Sequence, residues 1–195
     1  MKNIILIVFI GLIGGTLLMF GALKLYSSMH GAAISEPLSD EQGQEPLLEN
    51  VVYRTFSNNT TKDKFTISIF GSSIAEGTMR FTILTSDGLT IHSEEYRSNY
   101  LIGYGLGSTR PPTLKEEEDY IKKRVAEFFS IDNFSSPAIG ANDEVDTDYS
   151  KEEDWSDIRS DQTTVGFYYL IAEESGCRIA YSKKSRRTIK YFCCC

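Results

Sequence analysis

The sequence predicts an α+β fold: an antiparallel sheet of about 5–7 strands packed against one main helix, preceded by an N-terminal transmembrane helix. Three observations carry that expectation. From Ile4 to Leu23 the chain runs for twenty residues without a charge. Segments alternating apolar and polar with period two lie on both sides of one strongly signalled helix. Nothing in the order of elements repeats the strand–helix–strand unit that builds parallel sheets.

The apolar run comes first. Only Thr16 in it is appreciably polar, and it is bounded by Lys2 and Lys24. At ~1.5 Å rise per residue, twenty helical residues span roughly the hydrocarbon thickness of a bilayer. Residues 1–26 therefore read as a transmembrane helix or uncleaved signal anchor, with the lipid bilayer as partner through Ile4 to Leu23. Length favours retention, because the apolar core of a cleaved signal peptide is about 7–15 residues. The rival reading is cleavage near Ala33, where Gly31, Ala32 and Ala33 offer the small residues that signal peptidase needs; the product is then secreted. The very short tail ahead of the run argues for N-inside topology, with everything after Tyr26 in the periplasm or outside the cell.

Residues 27–50 read as an acidic, flexible tether. Glu36, Asp40, Glu41, Glu45 and Glu49 occur there with Pro37, Pro46 and several Ser and Gly, and no Lys or Arg. Too few large apolar side chains are present to offset the entropy of ordering. Residues 51–195 then suffice for a single extracytoplasmic α+β domain.

Within that domain Val51 to Phe56 suggests an edge strand. Phe65, Ile67 and Ile69 alternate with Thr66 and Ser68, and Met79, Phe81 and Ile83 with Arg80 and Thr82, the pattern of half-buried strands. Asp87-Gly88 supplies hairpin turn residues before Leu89 and Ile91. Pro111 and Pro112 stop the extended chain. Thr113 and Glu116 then have capping-box spacing, with Glu116, Glu117, Glu118 and Asp119 at the positive end of the helix dipole. Glu118–Lys122 and Asp119–Lys123 have i to i+4 spacing, and Leu114, Ile121, Val125 and Phe128 make the apolar stripe. Beyond it, Val165 to Ala172 is apolar on both faces, as in a central strand, and Cys177 to Tyr181 and Thr188 to Phe192 add two more. The stretch around Trp155 suggests a minor helix.

Catalytic and metal-binding patterns are sparse. His30 falls in the tether, leaving His92, which the alternation of Leu89 and Ile91 puts on the outer face of its strand. One histidine builds no multi-histidine metal site. Gly71-Ser-Ser-Ile-Ala75 departs from a nucleophile elbow in its last position, and no helix follows it. Gly103, Gly105 and Gly107 are spaced as glycines that let phosphate approach backbone amides, but residues 108–112 intervene before the helix, so a sheet-to-helix crossover is the plainer reading. Residues 143–161 hold nine carboxylates against Lys151 and Arg159. Asp146, Asp148, Ser150, Asp154 and Asp157 match oxygen-bearing positions of a calcium loop, yet Lys151 replaces the turn glycine and the closing residue is an aspartate, so a solvated acidic loop is the simpler account. No cofactor is implied.

The chain is polarised. After Glu174 no acid occurs, while Arg178, Lys183, Lys184, Arg186, Arg187 and Lys190 accumulate. These cations either protect strand edges, pair with the acidic stretch, or meet an anionic partner. Net charge −7 and the lack of a recognition motif argue against nucleic acid. Outside the cytosol oxidation is permitted, so Cys177 has a possible disulfide with one of Cys193, Cys194 or Cys195.

The segments FTISIF, SEEY, LIGYG and EEEDYIKKRVAEFF, between Lys64 and Ile139, together resemble uncharacterised membrane-anchored or lipoprotein-like extracytoplasmic proteins of Gram-negative bacteria. The chain departs from lipoproteins in having no cysteine just after the apolar run. The resemblance implies no catalytic residue or ligand. The functional expectation is a membrane-tethered extracytoplasmic domain acting by binding or structural interaction with a protein partner not yet known, a role favoured over that of an enzyme. Phe167, Tyr168 and Tyr169 are its candidate surface. The alternative is a small hydrolase using carboxylates of residues 143–161.

Overall fold

Alternation sets the first sheet. β1 (Leu48–Arg54), β2 (Asp63–Phe70), β3 (Thr78–Leu84) and β4 (Thr90–Arg97) follow one another as an antiparallel meander in the order β1-β2-β3-β4. Phe65, Ile67, Ile69, Met79, Phe81 and Ile83 all point to one face and are fully buried. At the β3–β4 turn Gly88 adopts φ +87°, a conformation that glycine reaches without a Cβ clash. The computed structural model describes residues 44–103, 105–107, 110–144, 147–172 and 175–194. The apolar run at residues 4–23 and most of the expected tether lie outside them. Among the described residues no helix is long and apolar enough to cross a membrane. Strand β1 opens at Leu48, slightly ahead of the sequence-based boundary.

Helix α1 (Leu114–Glu127) starts as its sequence dictates. The Thr113 side chain accepts from the Glu116 amide, and Glu116 Oε2 accepts the Thr113 amide at 2.8 Å. Ile121 and Val125 enter the core, and Phe128 follows them just past the last turn. Leu114 does not join that stripe; it is 56% exposed. Asp119 meets Lys115 at 3.0 Å and Lys122 at 3.4 Å rather than Lys123. At the other end of the helix Asn50 Nδ2 donates to the Val125 carbonyl at 2.8 Å, tying β1 to α1.

The second sheet is a correction. Instead of a single sheet of about 5–7 strands, the domain has two four-stranded antiparallel sheets, the second ordered β5-β6-β7-β8. It comprises the two-residue β5 (Phe134–Ser135), then β6 (Gly166–Ala172), β7 (Ser175–Ser182) and β8 (Arg187–Cys194). The sheets do not merge because β4 and β8 meet through side chains, Lys190 against Glu94, rather than through a backbone ladder. Bulges interrupt both strands, between the pairs of Ile83 and Leu84 and between those of Arg178 and Ile179. Bulges and inward-pointing charges are two ways of blunting a strand edge.

The main core is aromatic. The Phe65 ring has Phe56, Phe81, Phe129, Phe134 and Phe167 around it at centroid distances of 5.3–6.5 Å. Helix α2 (Glu152–Ser160) covers part of the far side of the second sheet, where Trp155 and Ile158 pack on Ala180, Ile189 and Tyr191.

Candidate functional site

The bulge in β4 brings together the most strongly coupled ionisable groups. It makes Ile91 the extra residue, so His92, Glu94 and Tyr96 stand opposite Ile83, Phe81 and Met79 on the core side. His92 is therefore not on the outer face. Its ring lies 4.8 Å from that of Phe81, and its Nε2 is buried without a hydrogen-bond partner. Glu94 accepts from Tyr169 Oη at 2.7 Å, from Tyr96 Oη and from Lys190 Nζ. His92 Nε2 stands 3.7 Å from Glu94 Oε2, too far for a hydrogen bond but close enough to act on its charge. Burial alone pushes the Glu94 carboxyl upward, yet His92, Lys190 and the two tyrosines outweigh it and hold the group far below the usual carboxylate range. Burial, reinforced by the Glu94 charge, pushes the Tyr96 and Tyr169 hydroxyls well above theirs. Because it joins β4, β6 and β8, the cluster acts as a strut between the sheets.

The acidic stretch has a different use. Lys183 Nζ meets Asp161 at 2.6 Å and Arg187 meets Asp154 at 2.8 Å. Asp157 Oδ2 accepts the Ser182 hydroxyl at 2.5 Å and the Lys184 amide at 3.3 Å. Asp154 and Asp157 of α2, with Asp161 just past its end, thus hold the basic β7–β8 turn. Of the positions matching a calcium loop, Asp154 and Asp157 are engaged in this way, Ser150 is buried, Asp148 is exposed, and Asp146 lies outside the described residues. No group of three or more His, Cys, Asp or Glu side chains among the described residues is placed to hold a metal ion. Arg110 forks onto Glu116, with nitrogen–oxygen distances of 3.0 and 2.6 Å. That ion pair and the Thr113 bonds hold Glu116 at about 2.

Cys177 is bonded to Cys193, its cross-strand neighbour, with Cα atoms 4.1 Å apart. Cys194 is a free, half-buried thiol, and Cys195 lies outside the described residues.

The open surface is the far side of the second sheet. Side chains alternate along β6, so Phe167 and Tyr169 are core residues and Tyr168 and Leu170 face away. Of the three aromatic residues expected at a surface, only Tyr168 is there. Helix α2 and the segment around Ala138 and Ile139 cover the row Gly166–Ala180–Ile189; in the next row, Tyr168–Arg178–Phe192, Phe192 packs against that cluster, while Tyr168 and Arg178 are not covered in this way. The Arg178 guanidinium stands between two rings, 5.9 Å from the centroid of Tyr168 and 5.6 Å from that of Phe192.

Three adjoining depressions make a groove along this row. The first, about 500 Å³, lies between α1 and β6 and is lined by Tyr120, Arg124, Glu127, Asn133, Tyr168 and Leu170 among others. The second, about 270 Å³, shares Asn133 and Tyr168 with the first and adds Asp132, Asp143, Arg178 and Tyr191. The third, about 290 Å³, shares Asp143, Arg178 and Tyr191 with the second and reaches Glu144, Trp155 and Phe192. Asp143 Oδ2 accepts the Gly140 amide at 2.7 Å. The Tyr191 hydroxyl donates to the Ala138 carbonyl at 2.8 Å and is pushed up to about 12, chiefly by burial.

No family model, curated protein or solved structure matches the chain.

Proposed function

We propose that this chain is a membrane-tethered, extracytoplasmic binding domain without catalytic activity, and that its ligand surface is the groove over the outer face of β6, β7 and β8. The observation that carries this reading is a half-covered sheet face. On one half α2 seals an apolar patch; on the other, two aromatic rings and a guanidinium line a groove. An open concavity with aromatic and convergent polar groups is the usual form of a binding site. Residues 4–23 supply the anchor in this account, and the acidic stretch that follows sets the domain away from the bilayer.

The hydrolase reading has less behind it. Acid–base hydrolysis needs one carboxyl kept protonated near neutral pH. Among the described carboxyls of residues 143–161, Asp154, Asp157 and Asp161 are taken up by the β7–β8 turn, and Lys183 and Thr163 hold Asp161 well below the usual carboxylate range.

The test is photo-crosslinking in intact cells. A photoreactive residue at Leu170, in the groove, should give a discrete adduct, while the same residue at Thr82, on the outer face of the first sheet, should give none. Equal labelling at both positions, or none at Leu170, contradicts the assignment. Protease added to intact cells or spheroplasts should digest the domain from about residue 51; full protection in spheroplasts until lysis overturns the topology.

A further inference from the structure

We infer that the ligand of this groove is a neutral, hydroxyl-rich polysaccharide, stacked by its sugar rings on the Tyr168–Arg178–Phe192 strip and hydrogen-bonded by the polar side chains beside it. This deepens the binding reading above and rests on it.

Charge speaks first. Lys123, Arg124 and Arg178 line the groove, but so do Glu127, Asp132, Asp143 and Glu144. The signs nearly cancel over a short distance, so neither a polyanion nor a polycation gains by lying along it. Position speaks next. The strip crosses the face of three strands paired to one another, while the free edge of β6 lies to one side of it, beyond the two-residue β5, where Arg124 Nη2 reaches the Leu170 carbonyl at 3.4 Å. An extended peptide adding to that edge would run along β6 and not across Tyr168, Arg178 and Phe192. The occupant must instead be held by rings and side chains.

The strip suits a sugar. Tyr168 packs down on Gly176: a Cβ at residue 176 would lie 2.4 Å from Tyr168 Oη and 2.7 Å from Cε2 and Cζ. A side chain at residue 176 would have to displace the ring, so the missing Cβ is what lets the tyrosine lie against the sheet. A ring lying there offers the apolar C–H face of a pyranose a stacking surface. The Arg178 guanidinium is a planar fork of donors and Asp143 an acceptor lining the same depression, partners that sugar hydroxyl groups can satisfy. Asn133 uses its Nδ2 on the Phe128 carbonyl at 3.0 Å, which orients the amide and leaves its oxygen as a further acceptor.

The experiment is affinity electrophoresis of the full chain in detergent micelles. Native gels would contain laminarin, galactomannan, arabinoxylan or hydroxyethylcellulose, with polygalacturonate as the anionic control. Retardation by at least one neutral polymer is the expected result. Tyr168→Ala should weaken it about tenfold, the equivalent of a good ring stack. Tyr168→Phe, which keeps the ring and guards against a folding defect, should retain it, as should Thr82→Ala. Absence of retardation in all four neutral polymers, or retardation indifferent to Tyr168→Ala, overturns the inference. Retardation by polygalacturonate alone, or a peptide adduct at the Leu170 crosslinker, also overturns it while leaving the groove as a binding site. Loss of both retardation and any Leu170 adduct removes the binding reading as well.

Discussion

Glu94 shows how one residue comes to depend on the whole fold. Its carboxylate sits where β4, β6 and β8 approach, and two hydroxyls and an ammonium group converge on it. A carboxyl held below its unfolded value of 4.5 stabilises the native state above that value, and the contribution fades as pH falls below it. Glu94→Gln should therefore cost about 2 kcal/mol at pH 7, the scale of a charge-assisted hydrogen bond lost from a buried site. The gap from the native chain should narrow by pH 3. Urea unfolding at both pH values measures it, and a gap independent of pH would show that the carboxylate is no strut. Phe65 makes the complementary case for packing. Five rings surround it, and Phe65→Ala should cost about 3–5 kcal/mol by the same measurement. A loss under 1 kcal/mol would mean that the ring cluster closes over the gap.

At the scale of elements, what the sequence made legible was local. Helix α1 could be placed by its capping box and stripe, and β2 and β3 by period-two alternation, because these patterns are written within a few residues of one another. The bulges were not legible. One extra residue at Ile91 turned His92 and Glu94 toward the core, and nothing in HSEEY announces it. The two-residue β5 and the division into two sheets escaped for the same reason: each is decided by partners far along the chain. Of the groove, Tyr168 could be named, but Arg178, Asn133 and Asp143 come from separate elements that only the fold brings together. Two element-scale outcomes follow. Thr113→Ala should lower stability by about 1 kcal/mol through the lost cap, with helix content otherwise kept. Reducing Cys177–Cys193, which closes a loop of sequence separation 16, should lower it by about 3 kcal/mol. Calorimetric melting with and without reductant reads the second, and an unchanged midpoint would mean that the strands need no link.

Across the molecule the charge polarisation seen in the sequence resolves into internal pairing. Asp154, Asp157 and Asp161, in and just after α2, hold the basic β7–β8 turn, which closes one half of the second sheet and leaves the other half open. The proposed ligand face is that open half, and the proposal stands or falls on it. The most direct test is amide chemical-shift mapping of the full chain in lipid nanodiscs, with laminarihexaose, cellohexaose and xylohexaose added in turn. The account predicts saturable shifts clustered on residues 168–170, 176–178 and 191–194, with the outer face of β1 to β4 unmoved. Shifts centred on the first sheet, or none with any of the three, would contradict it.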